Sequence, residues 1–234
     1  GTFRRHEPDG TVVEQPRALV VGIVDRWMML ESTGAIDILG VRFRPGAVRG
    51  VLGVTQANLA GRCHDLSSLC IDALDGLLPQ ARDETEPERR VALVLAHLAR
   101  AAEVAIPPHA TVLHTARRIV ATAGRAPIQQ IAEGAGWSLR HLERQFRREV
   151  GVTAKEFARL SRFHGVVTRL KRGKPPRWSR LAAEAGYHDQ SHLVRDFREF
   201  GGTTPAAFWR ETHPLSDLFH TSVEFLQDEA GTTA

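Results

Sequence analysis

The side chains that could do chemistry in this 234-residue chain are concentrated in one repeated pattern, His-Leu-x-Arg-x-Phe. The pattern occupies residues 141–146 and returns 51 positions later, at residues 192–197. Arginine can donate two hydrogen bonds to the edge of a guanine, and glutamine can pair in the same way with adenine. Both residue types stand in or beside the repeat, so the chemistry that it offers is the recognition of nucleic-acid bases.

The spacing predicts that each copy is an amphipathic helix. At about 100° per residue, four apolar side chains of the first copy share one face: Leu139, Leu142, Phe146 and Val150. Three arginines gather on the opposite face: Arg140, Arg144 and Arg147. In the second copy Leu193 and Phe197 turn inward, whereas four polar residues face outward or lie in the first turn: Gln190, Ser191, Arg195 and Arg198.

The residues ahead of each amphipathic helix predict a shorter helix and a sharp turn. Apolar residues recur at helical spacing across residues 128–135, Gly136 permits the turn, and Ser138 is a suitable N-cap. Gly186 and Asp189 take the same places in the second copy. Such a pair of helices is the arrangement of helix-turn-helix DNA recognition. The alternative is an amphipathic helix with a solvated basic face, and the repetition favours recognition.

A long helix is predicted between the two copies. Thr153 and Glu156 form a capping-box sequence at its start, and apolar residues at helical spacing continue it to residue 172. About 20 residues span about 30 Å, close to the ~34 Å between successive major-groove faces on one side of B-DNA. Thr204 and Pro205 start another helix after the second copy. One chain could therefore hold two readers in adjacent turns of the duplex.

Charge is unevenly distributed along the chain. Residues 105–213 carry 19 Lys and Arg against 9 Asp and Glu, a net charge of +10. Residues 1–104 carry 12 against 14, and the last 21 residues carry four acids and no Lys or Arg. Clustered charge attracts phosphates, so the basic segment predicts a polyanion-binding surface. A solvated, arginine-rich surface is the alternative that charge alone leaves open.

The two copies and the helix between them contain a set of motifs: Ile131-Ala132, Gly136, Ser138, Leu142, Arg144, Phe146, Gly151, Arg162-Phe163, Ala185-Gly186-Tyr187, Asp189-Gln190, Leu193, Arg195, Phe197, Gly202, Thr204-Pro205 and Phe208. With these motifs, residues 108–211 resemble the DNA-binding domain of the AraC/XylS family of bacterial transcription regulators. The resemblance implies a sequence-specific regulator that inserts two recognition helices into adjacent major grooves. It also implies duplex DNA and RNA polymerase as partners.

The candidate DNA-binding residues lie on the two amphipathic helices: Arg140, Glu143, Arg144, Arg147, Gln190, Ser191, His192, Arg195 and Arg198. All but Arg147 and Arg198 match base-facing positions of the family, which is what the resemblance implies for them. Glu143 can accept a hydrogen bond from cytosine or orient Arg144 or Arg147, and both roles stay open. Arg144 suits a phosphate as well as a base.

The first hundred residues predict a smaller α+β domain. Strands are expected over residues 17–24, 27–30 and 36–44, and helices near 55–61, 66–78 and 87–104. The run 40–46 is similar to the close of the sensor domain in one subgroup of the same family, which implies a small-molecule effector. Three strands are few for a sensor barrel, so either strands are missing upstream or the domain is reduced. A purely dimerising or scaffolding module, giving a homodimer, is the alternative.

The expected fold is mainly α, with a C-terminal all-α double helix-turn-helix domain joined by a long linker helix and a smaller α+β N-terminal domain. The expected domains are residues 1–104 for sensing or dimerisation, 105–213 for DNA binding and 214–234 as an acidic tail. Consecutive prolines at 107 and 108 mark the linker between the first two. In the tail, Phe219, Phe225 and Leu226 favour docking on the body.

Several classes of protein are excluded by what the sequence lacks. No stretch approaches the ~18 apolar residues of a membrane span, and residues 1–6 have no signal core, so a cytoplasmic location is expected. DNA-repair chemistry at a four-thiolate zinc needs more than Cys63 and Cys70. These two thiols are expected to be buried in helical segments, with a metal site that includes His64 as the alternative. No enzyme motif, cofactor or metal is therefore expected.

Overall fold

The computed structural model describes residues 1–7, 9–69, 71, 74, 76–171 and 177–210. The chain divides into two compact units. The first contains Gly1–Val24, Met28–His109 and Arg147–Gly151, and the second contains Asp25–Trp27, Ala110–Phe146 and the described residues from Val152 onward. Some residues named above lie outside the described part of the chain: Cys70, Arg172 and the tail with Phe219, Phe225 and Leu226.

Two small antiparallel sheets lie in the first unit. Their strands, in the described part of the chain, are β1 (Phe3–His6), β2 (Val12–Glu14), β3 (Leu19–Val21), β4 (Met29–Ser32) and β5 (Cys63–Asp65). β1 is the middle strand between β2 and β4, and β3 pairs with β5. Arg4 lies opposite Glu14 on one side and Glu31 on the other, which places opposite charges on neighbouring strands.

Short helices cover the core of the first unit. They are α1 (Ala47–Leu52), α2 (Gln56–Leu59), a 3-10 turn (Leu66–Leu69), α3 (Leu77–Asp83) and α4 (Pro87–Glu103). Among the described residues, one cluster of buried apolar side chains forms the centre of this core: Val48, Leu52, Leu59 and Ile71. Val20 from β3 and Leu98 from α4 pack against them, so this core joins the smaller sheet to the helices.

The strand predictions for the first unit are right in two places and wrong in one. β3 and β4 form at the first two predicted positions, but residues 36–44 form neither helix nor strand. Ile38, Leu39 and Val41 in this run are 50%, 39% and 44% exposed. An apolar run becomes a strand only where a neighbouring strand satisfies its backbone and covers its side chains, and no described strand pairs with this run.

The predicted helix over residues 66–78 is wrong at Leu66–Leu69, which form a 3-10 turn, while residues 77 and 78 begin α3. The Asp65 carboxylate accepts hydrogen bonds from the Ser67 backbone N–H at 2.9 Å and from the Ser67 hydroxyl at 2.6 Å. Such side-chain bonds compete with helix formation and hold a 3-10 turn instead. Cys63 lies half-buried on β5 rather than in a helix. The helices predicted near 55–61 and 87–104 are confirmed by α2 and α4.

Helices make up the second unit. They are α5 (Ala110–Ala121), α6 (Ile128–Gly134), α7 (Leu139–Val150), α8 (Ala154–Lys171), α9 (Trp178–Glu184), α10 (Gln190–Gly201) and α11 (Pro205–Arg210). The end of α7, from Arg147 onward, belongs to the first unit. Gly136 and Gly186 have φ of +70° and +78° in the turns before α7 and α10, a conformation that favours glycine. The predicted mainly α fold with two helix-turn-helix pairs around a long helix is confirmed. No helix in the described ranges is long and apolar enough to span a bilayer.

The predicted start signals of α8 and α11 are confirmed. The Thr153 backbone N–H donates to Glu156 Oε2 at 2.8 Å, and the Glu156 backbone N–H donates to Thr153 Oγ1 at 3.1 Å. This reciprocal pair is a capping box, which satisfies two donors that the helix itself leaves unpaired. Thr204 Oγ1 accepts from the Ala207 backbone N–H at 3.2 Å, so α11 starts with a single side-chain cap.

The apolar stripes of α7 and α10 contribute to the core of the second unit, together with buried residues of α5 and α8. Leu142, Phe146, Leu193 and Phe197 are fully buried, as the helical projection predicts. The prediction is wrong for Leu139, which is 42% exposed. The projection places Leu139 on the apolar face, but Leu139 is the first residue of α7. A projection down the helix axis does not show where the elements that cover this face end.

Candidate nucleic-acid interface

The outward face of α7 presents three exposed arginines: Arg140, Arg144 and Arg147. Arg144 is held toward the start of the helix, because its Nη2 lies 3.1 Å from His141 Nδ1. The His141 ring in turn contacts the Trp137 ring edge-to-face, with 4.4 Å between their centroids. Arg144 on the basic face is therefore supported by the His141 ring, which contacts Trp137 in the turn before the helix.

The outward face of α10 has the same construction. Four of its polar side chains are exposed: Gln190, Ser191, Arg195 and Arg198. His192 is half-buried, and its ring contacts the Tyr187 ring edge-to-face, with a centroid distance of 5.2 Å. Trp137–His141 and Tyr187–His192 occupy equivalent positions in the two copies, so both histidines support their helices.

Side-chain caps fix the first turn of each of these helices. Ser138 Oγ accepts a hydrogen bond from the His141 backbone N–H at 3.2 Å, and Asp189 Oδ1 accepts from the His192 backbone N–H at 2.7 Å. The second bond lowers the pKa of Asp189 below its ordinary value of 3.8, with a further contribution from His188. Both predicted caps are confirmed, and they orient the turn that carries Arg140 in one helix and Gln190 in the other.

Glu143 is on α7, but its carboxylate reaches the start of α8. Its Oε2 accepts a hydrogen bond from the Ala154 backbone N–H at 2.6 Å, and its Oε1 lies 3.4 Å from the Lys155 backbone nitrogen, which donates to it. These N–H groups belong to the first turn of α8 and have no partner within that helix. A carboxylate at this end also complements the helix dipole. The sequence shows Glu143 on the recognition helix but not this contact.

An ion-pair cluster joins α8 to α10. Arg159 Nη2 lies 2.7 Å from Asp196 Oδ1 and 2.7 Å from Glu199 Oε2. The Asp196 side chain is fully buried, and its Oδ2 has no hydrogen-bond partner among the described residues. The guanidinium also lies over the Phe200 ring, 4.9 Å from its centroid. Hydrogen bonding to Glu199, followed by that to Asp196, raises the pKa of Arg159, so this guanidinium is a permanent cation in the cluster.

A second arginine of α8 supports the first helix-turn-helix pair. Arg162 Nη1 donates to the Gly124 carbonyl at 2.8 Å, and its guanidinium lies 5.8 Å from the Tyr187 ring centroid. Burial and the negative charge of Asp196 raise the pKa of Tyr187. Arg162 therefore contacts both the α5–α6 turn and the turn before α10. The sequence motif indicates its place on the linker helix but not these partners.

A model of a family described as a helix-turn-helix domain matches residues 131–211. These residues form an AraC-type helix-turn-helix domain. The match covers both amphipathic helices and the long helix between them, which confirms the resemblance stated from the motifs. The chain is thus a DNA-binding transcription regulator. No curated protein and no solved structure matches the chain significantly.

The match leaves other predictions untested. It starts at residue 131, so the likeness of residues 40–46 to a sensor domain and the domain limits at 104 and 213 stay predictions. Within the residues that the structure describes, no three His, Cys, Asp or Glu side chains are grouped so that they could hold a metal ion. The alternative metal site of Cys63, His64 and Cys70 includes a residue outside that part of the chain.

Proposed function

We propose that this regulator inserts α7 and α10 into adjacent major grooves of one DNA duplex. The observation that carries the proposal is that two outward arginine faces, one on each helix, are attached to the same long helix, α8. α8 has 18 residues, and at about 1.5 Å per residue it spans about 27 Å. This length is close to the ~34 Å between adjacent major-groove faces on one side of the duplex.

The exposed residues divide into two roles. Arg140 and Arg195 are assigned to guanine edges, while Gln190 and Ser191 in the first turn of α10 are assigned to bases of the second half-site. Three arginines are assigned to phosphates: Arg144, whose guanidinium contacts His141, and Arg147 and Arg198, which lie nearer the end of each helix. His192 and Glu143 contact protein groups, so they are assigned to supporting the surface rather than to reading bases.

Selection of bound fragments from random or genomic DNA tests the proposal. Binding curves for the selected duplex should then compare wild type with Arg140→Ala, Arg195→Ala and the control Arg117→Ala, which removes an exposed arginine of α5. Each of the first two variants should weaken specific binding by about 1–3 kcal/mol and relax the sequence preference in a different half-site. Arg117→Ala should leave the preference unchanged. Equal loss on selected and scrambled DNA would contradict the assignment.

Salt dependence and competition distinguish duplex DNA from other polyanions. Because each neutralised phosphate releases about 0.9 counterion from B-DNA, the logarithm of the affinity should fall steeply and linearly with the logarithm of salt concentration. Duplex DNA of the selected sequence should displace a labelled duplex far better than RNA of the same sequence. Equal displacement by RNA would favour a general polyanion-binding protein.

The first unit is proposed to bind a second copy of the chain. Val91 and Leu95 lie one helical turn apart on α4 and are 40% and 57% exposed. Apolar side chains at this spacing form the stripe that two helices bury against each other. Leu95→Glu in the full chain should lower the mass measured by sedimentation, whereas Glu88→Gln on the same helix should not. A monomeric wild type would contradict dimerisation and leave effector binding as the role of this unit.

A further inference from the structure

The two recognition helices are attached to α8 by different residues. Counting 51 positions along the repeat, Glu143 on α7 corresponds to Val194 on α10, and Asp196 on α10 corresponds to Gln145 on α7. The outward face is repeated in part: Arg144 corresponds to Arg195, whereas Arg140 corresponds to Ser191. The repeat therefore preserves part of the outward face and gives each helix its own attachment.

The α7 attachment is a carboxylate on helix backbone. Glu143 accepts from the Ala154 and Lys155 N–H groups at the start of α8, with the shorter contact at 2.6 Å. The neighbouring capping box already occupies the N–H groups of Thr153 and Glu156. Glu143 thus adds a hydrogen bond between α7 and α8, whereas the capping box joins residues at the start of α8 to one another. Any rotation of α7 about its own axis relative to α8 would break this bond.

The α10 attachment is a buried charge pair. Arg159 lies on α8, about one turn beyond the residues that Glu143 contacts, and its fork spans Asp196 and Glu199 on one face of α10. Asp196 is fully buried, so a movement of α10 that broke this contact would leave a buried carboxylate without its cation. The Phe163 ring of α8 packs on Phe197 at 4.9 Å beside it. The direction of α10 relative to α8 is therefore set by charge and by packing together.

We propose that Glu143 and the Arg159–Asp196 pair determine which spacing between half-sites the regulator accepts. The inference rests on the proposed function, in which α7 and α10 enter adjacent grooves. One added base pair moves the second half-site by about 3.4 Å and rotates it by about 35° around the duplex axis. Helices fixed to one rod cannot follow this rotation without breaking an attachment. These residues act as positioning residues, and the exposed arginines read the bases.

The experiment measures spacing preference and base preference separately in the full chain. The selected duplex is prepared with zero, one or two base pairs inserted between its half-sites, and dissociation constants are measured for wild type, Glu143→Gln and Arg159→Lys. Glu133→Gln is the matched control, because Glu133 contacts Gln129 of its own helix and does not reach α8. Circular dichroism and thermal unfolding establish that each variant is folded. Arg159→Lys keeps the charge beside Asp196 and loses the two-pronged contact.

For wild type and the control, we expect one inserted base pair to weaken binding by about tenfold or more, comparable to a mismatched base pair. For the two attachment variants the same insertion should weaken binding by no more than about threefold, with the base preference in each half-site unchanged. An undiminished insertion penalty in folded variants would overturn the inference. A changed base at one position of the first half-site in Glu143→Gln, with unchanged spacing, would make Glu143 a base reader instead. A wild type that selects one half-site only would overturn the proposed function itself.

Discussion

Replacing Arg159 by Leu should strongly destabilise the second helix-turn-helix pair. Asp196 is fully buried, its Oδ1 lies 2.7 Å from Arg159, and its Oδ2 has no partner among the described residues. Removing the guanidinium leaves a buried carboxylate without a cation, which costs about 3–5 kcal/mol. Glu199 contacts the same guanidinium but is 46% exposed. Removing the Glu199 charge in Glu199→Gln should therefore lower the free energy of unfolding by no more than about 1 kcal/mol.

Amide hydrogen exchange along α10 is the suitable assay, since global unfolding of a chain with two units need not be two-state. Arg159→Leu should accelerate exchange of the protected α10 amides more than hundredfold, which corresponds to about 3 kcal/mol. The double variant Arg159→Leu, Asp196→Leu should regain much of the protection, because apolar residues of similar volume can replace a buried pair. Equal exchange in Arg159→Leu and Glu199→Gln would refute this reasoning.

Three further predictions concern individual residues. The N-terminal amides of α10 lower the pKa of Asp189 from 3.8, so the Asp189 carboxylate stabilises the helix fully above pH 3.8. This stabilisation should be lost as the pH falls through the lower pKa of the folded state, which amide exchange at the start of α10, measured against pH, checks. Tyr187, the chain's one tyrosine, has a raised pKa, so its phenolate absorbance should appear well above pH 10, and stability should fall as pH rises beyond 10. Gly124→Ala should lower the free energy of unfolding by at least about 1 kcal/mol, because its φ is +77° and a Cβ would lie 2.1 Å from a carbonyl oxygen of α8. Gly134→Ala, in an open helical position, should be neutral or stabilising by up to about 1 kcal/mol, and equal melting temperatures for the two glycine variants would contradict the argument.

The helix-turn-helix pairs were predictable because their signals are local. The apolar stripe with Phe146 and Phe197, the turn glycines, and the caps Ser138 and Asp189 each depend on residues within one or two helical turns. Caps and turns restrict the backbone wherever they occur, so the tertiary structure agrees with them. The exposed arginine faces follow from the same periodicity, since a helix that buries one stripe exposes the opposite one.

The attachments were not predictable because they depend on which helices meet. Glu143 and Asp196 are polar residues at helical positions, and nothing in their spacing distinguishes a base reader from a contact with α8. The buried Asp196 carboxylate is paired with Arg159, which lies 37 positions earlier in the chain. In the first unit the apolar run at 36–44 lacks a neighbouring strand, while β1 and β2 form from short, charged segments that pair with each other. Strand formation depends on partners, which a period of two does not reveal.

The most direct test of the central claim is a hydroxyl-radical footprint of the full chain on its selected duplex. If α7 and α10 occupy adjacent major grooves, two protected stretches should appear on one face of the duplex, with centres about 10 base pairs apart. Arg140→Ala should weaken one stretch, and Arg195→Ala should weaken the other. A single protected stretch, or two stretches on opposite faces of the duplex, would contradict the account.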